Sequence, residues 1–356
     1  WSRAALDLAH GLQAQGHQVT ALVAHASASG LREQVVLRSE TRILSNPLAV
    51  LVDAYKVWQA LKRLQPDVVH VIAEPYALLQ PFGDWKTWIT VHGSYGAIPF
   101  CGPWFVRVLM SRALRRMAGI ITVSEFTKQY VLEHAAPYLE RTMLEKKISV
   151  IHNAVDLSRF PAHIAPRAPS KTMNILSVGA VKPRKNILTS LKALTLLRDA
   201  GIQFQYHIIG SIQQVPQYVE DIRRTILAYS LTNSVNIHGD VGEDALKQAF
   251  AAADVFLMPS SPEGLQVEGF GIVFLEANAW GIPVVGPRSG GCPEAIKDGA
   301  TGFVVDPADA QAIADALQKI LLDGAIDPQQ CRRWAEAHDH ERISAQVLAV
   351  YNQAQR

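Results

Sequence analysis

Residues 259–293 read P-S-S-P-E-G-L-Q-V-E-G-F-G-I-V-F-L-E-A-N-A-W-G-I-P-V-V-G-P-R-S-G-G-C-P. An apolar strand, 255–258, leads into this stretch, and two carboxylates, Glu268 and Glu276, lie eight residues apart within it. Gly269 and Gly271 flank Phe270, and an apolar helix begins there. Gly281 stops the helix in the manner of a C′ glycine, and Pro283 follows. A second short strand, 282–285, runs into a turn cluster, 286–293. A helix start presents unpaired N–H groups and the positive end of a dipole, which suits phosphate. The N–H groups near Phe270, Gly271 and Ile272 are the candidates, and Gly271 would let a ligand come close. Carboxylates accept paired hydrogen bonds from sugar and ribose hydroxyls. Hydroxyls, phosphates and hydroxyls in series describe a nucleotide sugar. On spacing alone, a helix with one capping and one exposed glutamate fits as well.

Working outward, strands alternate with helices in both directions. Toward the C-terminus come strand 302–305, helices 307–322 and 328–338, and a last segment, 341–355, with Ile343, Val347, Val350 and Tyr351 as an apolar stripe. Toward the N-terminus the alternation runs through strand 173–178, helix 187–199, strand 204–209, helix 215–229, strand 235–238 and helix 243–251. The Pro-rich, aperiodic stretch 161–171 is a credible linker. Before it lie strands at 18–24, 67–73, 88–91, 119–123 and 148–151, and helices at 48–64 and 103–117. Continuous apolar strands alternating with helices imply parallel sheets covered on both faces. Polar residues gather at strand tips: Glu74, His92, Ser124, Glu125 and Asn153. Ligands of open α/β sheets bind outside the carboxyl ends of strands.

The chain has 356 residues, 49% hydrophobic and 19% charged, an ordinary globular composition long enough for two domains. A net charge of +2 is too mild for a nucleic-acid binder. Cys101, Cys292 and Cys331 are scattered and read as reduced, buried thiols of a cytosolic protein rather than a disulfide frame or zinc site. No apolar run reaches the roughly 18 residues of a membrane span. There is no D-x-D, no G-x-S-x-G and no G-x-G-x-x-G after a strand, and His70, His92 and His152 lack a carboxylate at ligand spacing, so no metal and no organic cofactor is expected. The opening helix carries Trp1, Ala5, Leu8 and Leu12 on one face, and a doubly wound sheet places a strand and a Gly-rich turn ahead of such a helix. We therefore read the sequence as lacking its native N-terminus.

Strand 173–178 ends in G-A-V-K-P-R-K-N, residues 179–186. Lys182, Arg184 and Lys185 cluster there as a departing diphosphate would need, though a solvated basic turn reads the same way. His92, in T-V-H-G-S, is a strand-tip histidine open to a structural or a ligand-binding role. Ser124 is placed to cap the following helix. On helix 103–117, Val106, Leu109, Met110, Ala113, Leu114 and Met117 form one stripe, while Trp104, Phe105, Arg107, Arg112, Arg115 and Arg116 are compatible with an anionic membrane surface or with ordinary solvent.

E-G-F-G-I-V-F-L-E-A-N-A-W-G-I-P-V-V followed by G-G-C-P-E-A-I-K-D-G-A-T-G-F-V-V resembles the signature of the retaining glycosyltransferases of family 4. The resemblance extends over nearly the whole chain and implies the α/β GT-B fold: two doubly wound Rossmann-like lobes with a cleft between them. The implied division is an acceptor-side lobe, 1–166, completed by a terminal helix, 341–356, and a nucleotide-sugar lobe, 167–340. The implied reaction moves a hexosyl group from a nucleotide-diphosphate sugar to a sugar, lipid or polysaccharide-intermediate acceptor with retention. It proceeds on the front face, with the leaving phosphate helping to take the acceptor's proton. Glu268 would hold donor-sugar hydroxyls, Glu276 the ribose, and Arg184 and Lys185 the diphosphate, with His92 near the donor sugar. Gly179, Lys182, Phe270, Gly271, Ile272, Gly210 and Val241 would complete the donor site. The family's arginine in the basic turn is replaced here by Ala180, so a truncated or inactive nucleotide-sugar-binding relative is the alternative. A nucleotide-cofactor oxidoreductase is disfavoured by the missing fingerprint. The expected setting is cytoplasmic, with a peripheral contact at the inner face of the cytoplasmic membrane.

Overall fold

The computed structural model describes residues 2–25, 30–37, 47–79, 83, 85–164 and 172–353. Of the expectations above, Trp1, the linker residues 165–171 and residues 354–356 lie outside the described residues. The chain divides into two compact units, Trp1–Ala154 with Asp339–Arg356, and Val155–His338. The first division thus falls ahead of the Pro-rich stretch rather than within it. The first turn of the second unit, Leu157–Arg159, is capped by Asp156, whose carboxylate accepts from the Ser158 N–H at 3.0 Å.

In the first unit, strands β1 (Thr20–Val23) and β2 (Arg32–Val35) form a parallel pair. Strands β3 (Val69–Val71), β4 (Thr87–Val91), β5 (Gly119–Thr122) and β6 (Ile148–Val150) form a second parallel sheet in that order. The sequence implied one sheet here; the described strands make two, because β1 bonds only to β2. Strand β2 reads R-E-Q-V, too polar to announce itself. Helices Pro47–Leu64 and Trp104–Arg116 share one core with β4 and β5, built from Val57, Leu61, Ile89, Met110, Leu114 and Ile120. A second core joins Trp88, Ile121 and Ile151 to Ile343, Val347 and Tyr351 of the final helix, His340–Gln353. That helix also packs on helix Ser2–Ala14, where a Cβ on Gly11 would overlap Ser344.

The second unit is one six-stranded parallel sheet: β7 (Met173–Val178), β8 (Phe204–Ile209), β9 (Val235–Gly239), β10 (Val255–Leu257), β11 (Val284–Pro287) and β12 (Gly302–Val305). Their order is β12-β11-β10-β7-β8-β9. The first strand of the unit is central, and the winding reverses between β7 and β10. This doubly wound order puts its ligand crevice outside the carboxyl ends of those two strands. Helix Ile187–Asp199 buries Ile187, Leu191, Leu194 and Leu197 at helical spacing against Tyr206, Ile208 and Ile313. Among the described residues no helix is long and apolar enough to cross a membrane.

Candidate functional site

The turns leaving β7 and β10 meet at this reversal. After β7, Gly179 takes φ +144°, and the chain tightens into a single turn, Pro183–Lys185. Asn186 ends that turn in the left-handed region, φ +56°, and its amide donates to the carbonyls of Pro259, at 3.0 Å, and Pro307, at 2.6 Å. The Ser261 N–H donates to the Arg184 carbonyl at 2.9 Å. Thus the basic turn is fastened directly to the loop that carries Glu268.

Arg184 and Lys185 converge on that carboxylate. Arg184 Nη1 donates to Glu268 Oε2 at 2.6 Å, and Lys185 Nζ donates to the same oxygen at 2.9 Å. Burial alone would raise the Glu268 pKa; the charges of Lys185 and Arg184 outweigh it and hold the carboxyl down at about 2. Lys182 opens the same turn, and burial, then the charges of Arg184 and Lys185, depress its pKa. Three cations stand against two carboxylates, Glu263 and half-buried Glu268, so the site carries a surplus of one positive charge.

The backbone of Glu268 is held from the far side. Gly291 N–H donates to the Glu268 carbonyl at 2.8 Å, and Gly290, at φ +63°, lies so close that a Cβ would overlap that oxygen. Sequence reading marked residues 286–293 only as a turn cluster; the G-G pair was its one hint of this clamp. Lys185 Nζ also reaches Met258 Sδ at 3.2 Å, at the end of β10.

The helix after Glu268 is Ile272–Ala279, with Gly271 at its N-cap. Its first N–H groups have no partner inside the helix. Phe270 is buried in the core, so its side chain faces no ligand and only its backbone could serve one. Gly271 has a structural reason as well: it sits at φ +89°, and a Cβ would crowd the Phe274 ring. Glu276 stands one turn into the helix, 3.6 Å from Arg159 Nη2. Nothing in the sequence signalled this partner, which lies in the turn Leu157–Arg159.

Gly179, Gly210 and Gly239 end the adjacent strands β7, β8 and β9, with left-handed φ values of +144°, +141° and +69°. Gly210 N–H donates to the Gly239 carbonyl at 2.8 Å, and a Cβ on Gly210 would overlap the Gly179 carbonyl. The strand tips therefore form a floor without side chains. Val241 lies just beyond β9, half-buried.

His92 belongs to the first unit, at the tip of β4. Its N–H donates to Glu74 Oε1 at 2.6 Å. Burial, above all, lowers its pKa to about 3, so the imidazole is neutral; the Asn153 side chain and the Ile72 backbone bond to it. Ser124 caps helix Glu125–Ala135, accepting from the Thr127 N–H at 2.9 Å. All three cysteines are free thiols; Cys292 and Cys331 are buried as expected, but Cys101 is exposed.

Comparison with known proteins places this geometry. The profile described as Glycosyl transferases group 1 matches residues 160–340, and that described as Glycosyltransferase Family 4 matches residues 2–159. The chain is 29% identical over 326 residues to the GDP-mannose-dependent alpha-(1-6)-phosphatidylinositol monomannoside mannosyltransferase of Mycolicibacterium smegmatis, covering 86% of this chain and 82% of that one. It is 33% identical over 218 residues to the D-inositol 3-phosphate glycosyltransferase of an Arthrobacter species, covering 58% and 50%. Among solved structures, a glycosyltransferase from Rickettsia africae superposes with a TM-score of 0.80 at 22% identity, covering 99% of this chain and 94% of that one. The Anabaena protein HepE in complex with UDP-glucose gives 0.76 at 18% identity, covering 98% and 95%. The fold is that of the GT-B glycosyltransferases. The chain belongs to glycosyltransferase family 4, its C-terminal half to the glycosyl transferases group 1.

Proposed function

We propose that this chain moves a hexosyl group from a nucleoside-diphosphate sugar to a sugar, lipid or polysaccharide-intermediate acceptor, with retention of anomeric configuration. The observation that carries this reading is the surplus of positive charge at the winding reversal: Lys182, Arg184 and Lys185 against Glu268 and Glu263. An anionic ligand group would complete that balance. As the sugar–phosphate bond breaks, charge builds on the leaving diphosphate, and preplaced cations favour that state over the ground state.

In this reading Arg184 and Lys185 hold the diphosphate, and the N–H groups at Gly271 and Ile272 supplement them. Arg184 and Lys185 both donate to Glu268 Oε2; Oε1 is then the oxygen offered to donor-sugar hydroxyls. The anomeric carbon parts from the diphosphate oxygen while the acceptor oxygen bonds to it on the same face. The acceptor's proton passes to the leaving diphosphate. Glu276 accepts from the ribose. Arg184 reaches Glu268 at 2.6 Å, so the charge that Ala180 does not supply comes from within the same turn, which favours an active enzyme over an inactive relative. No metal and no organic cofactor enters the reaction. Relatives named as GDP-mannose-dependent and a neighbour solved with UDP-glucose make these two donors the first to assay.

Glu268→Gln keeps the shape and removes the charge. We expect it to lower kcat by roughly 10²–10³-fold, the usual scale for one transition-state electrostatic contact. NMR of the wild-type product should show the donor's anomeric configuration. Full activity in Glu268→Gln, or an inverted product, would overturn the reading.

The acceptor side invites a membrane contact. Trp104 is 70% exposed and Val108 56%, on a helix that also bears Arg107, Arg112, Arg115 and Arg116. Helix Pro47–Leu64 exposes Leu48, Leu51, Val52 and Tyr55 along one face. Apolar side chains among cations suit an anionic lipid surface, which fits a cytoplasmic enzyme working at the membrane's inner face. Pelleting with anionic liposomes at low salt should retain the protein, and Trp104→Ala should weaken that retention.

A further inference from the structure

We propose that Asn186 is a positioning residue for the donor diphosphate: its side-chain amide ties together the loops that leave β7, β10 and β12, and so sets where Arg184 and Lys185 stand. The proposal rests on the reading of those two cations as the partners of the diphosphate.

Asn186 departs twice from what its type does locally. It stands between the turn Pro183–Lys185 and helix Ile187–Asp199, where an asparagine side chain ordinarily caps the helix by accepting from its first N–H groups. Here the side chain makes no such cap. The backbone also holds the left-handed region, φ +56° and ψ +38°, which costs any residue other than glycine some strain. A helix that starts this way forgoes local stabilisation, so the return must come from the side chain's bonds to other loops.

Nδ2 donates to the Pro259 carbonyl, just beyond β10, at 3.0 Å and to the Pro307 carbonyl, just beyond β12, at 2.6 Å. Carbonyls only accept, so these partners fix which end of the amide is nitrogen. Proline holds its own φ, which makes both acceptors stiff. Oδ1 accepts from the Thr189 hydroxyl at 2.7 Å. With both ends of the amide engaged by protein, the side chain is a brace and not a ligand contact. What it braces is the turn directly before it. The Asn186 N–H donates to the Pro183 carbonyl at 2.8 Å, closing the turn that carries Arg184 and Lys185. Those two side chains reach Glu268 Oε2 at 2.6 and 2.9 Å. A slip of the turn by about 1 Å would displace both cations at once, and misplacement on that scale can slow a reaction by roughly 10²-fold.

The test is equilibrium binding of nucleoside diphosphates (UDP, GDP and ADP) and of the matching nucleosides to the whole chain, with donor KM and kcat measured on the same variants. Asn186→Gly removes the amide and lets the backbone keep its left-handed turn, so it probes the brace without adding strain. Asn186→Asp keeps the size but turns an oxygen toward the two carbonyls. Thr189→Val leaves Asn186 in place and withdraws the bond to Oδ1. Asn186→Gly and Asn186→Asp should each weaken the diphosphate that the wild type binds best by about tenfold, the scale of two lost hydrogen bonds, and leave its nucleoside unchanged. kcat should fall further than KM rises, by up to about 10²-fold, because misplaced cations serve the leaving diphosphate poorly. Thr189→Val should show a smaller loss of the same kind. Equal weakening of diphosphate and nucleoside would overturn the proposal, since Asn186 would then serve the fold as a whole; so would unchanged diphosphate binding in both Asn186 variants. An Arg184→Ala, Lys185→Ala double variant that still prefers diphosphate over nucleoside as the wild type does would overturn it differently, by removing the phosphate role of the two cations.

Discussion

At the scale of single residues, the site depends on what holds Glu268 still. Two cations fix its carboxylate, and the Gly290–Gly291 turn fixes its carbonyl. Gly290 can do this because it occupies φ +63° and has no Cβ to meet the Glu268 oxygen. Gly290→Ala must strain the turn, shift Glu268, or both. We expect it to cost about 1–3 kcal/mol of stability and to reduce transfer activity beyond what the lost stability explains. Thermal unfolding and kcat measured on the same preparation check this; unchanged kcat would mean that Glu268 is positioned from its side chain alone. The local chemistry here was legible in part. Spacing singled out Glu268, Glu276 and the basic turn, because each lies in a short segment with unusual composition. The pairings were not legible: Arg159 and Glu276, or Asn186 with Pro259 and Pro307, meet only once the sheet has folded, and no local pattern encodes such contacts.

At the scale of elements, the parallel strands of the second unit came through the sequence well. β7, β8 and β12 read M-N-I-L-S-V, F-Q-Y-H-I-I and G-F-V-V, mostly apolar runs followed by glycine or another turn former, and their bounds match the pattern. β2 did not come through, because its polar residues are tolerated on a two-stranded pair with little burial. The final helix had a readable stripe but an unreadable destination. Its Tyr351 hydroxyl meets His70 Nδ1 at 2.5 Å, while His70 Nε2 meets Thr90 Oγ1 at 2.8 Å, tying the helix to β3 and β4. Tyr351→Phe leaves a buried imidazole nitrogen without its partner and should cost about 1–3 kcal/mol. Hydrogen exchange should locate the loss in helix His340–Gln353 and in strands β3 and β4 (residues 69–71 and 87–91). A loss spread evenly through both units would contradict this account.

At the scale of the whole molecule, the two units carry separate cores, and acid and ligand should act on them separately. Burial lowers His70 and His92, both in the first unit, from 6.5 to about 3. Between those values the unfolded chain binds protons that the folded chain refuses, so stability is full above pH 6.5 and falls as pH drops, by up to about 1.4 kcal/mol per pH unit for each histidine. Glu268, in the second unit, is lowered from 4.5 to about 2, and its contribution is lost only below pH 4.5. His207 of the second unit shifts in the histidine direction too, from a half-buried position. Calorimetry from pH 7 to 5 should therefore show the first unit's transition falling further than the second's. The ligand should do the reverse, because the proposed diphosphate and ribose contacts lie in residues 155–338. A nucleoside diphosphate at about 100 times its dissociation constant adds roughly 2.7 kcal/mol, or some 5–10 °C for a unit of this size. That rise should fall on the second unit alone. Scans with UDP, GDP, ADP and NAD then decide between readings: a shift with one nucleoside diphosphate supports the transferase and identifies the donor's base. A shift with NAD alone would restore the oxidoreductase, and no shift with any of the four would remove the nucleotide site altogether.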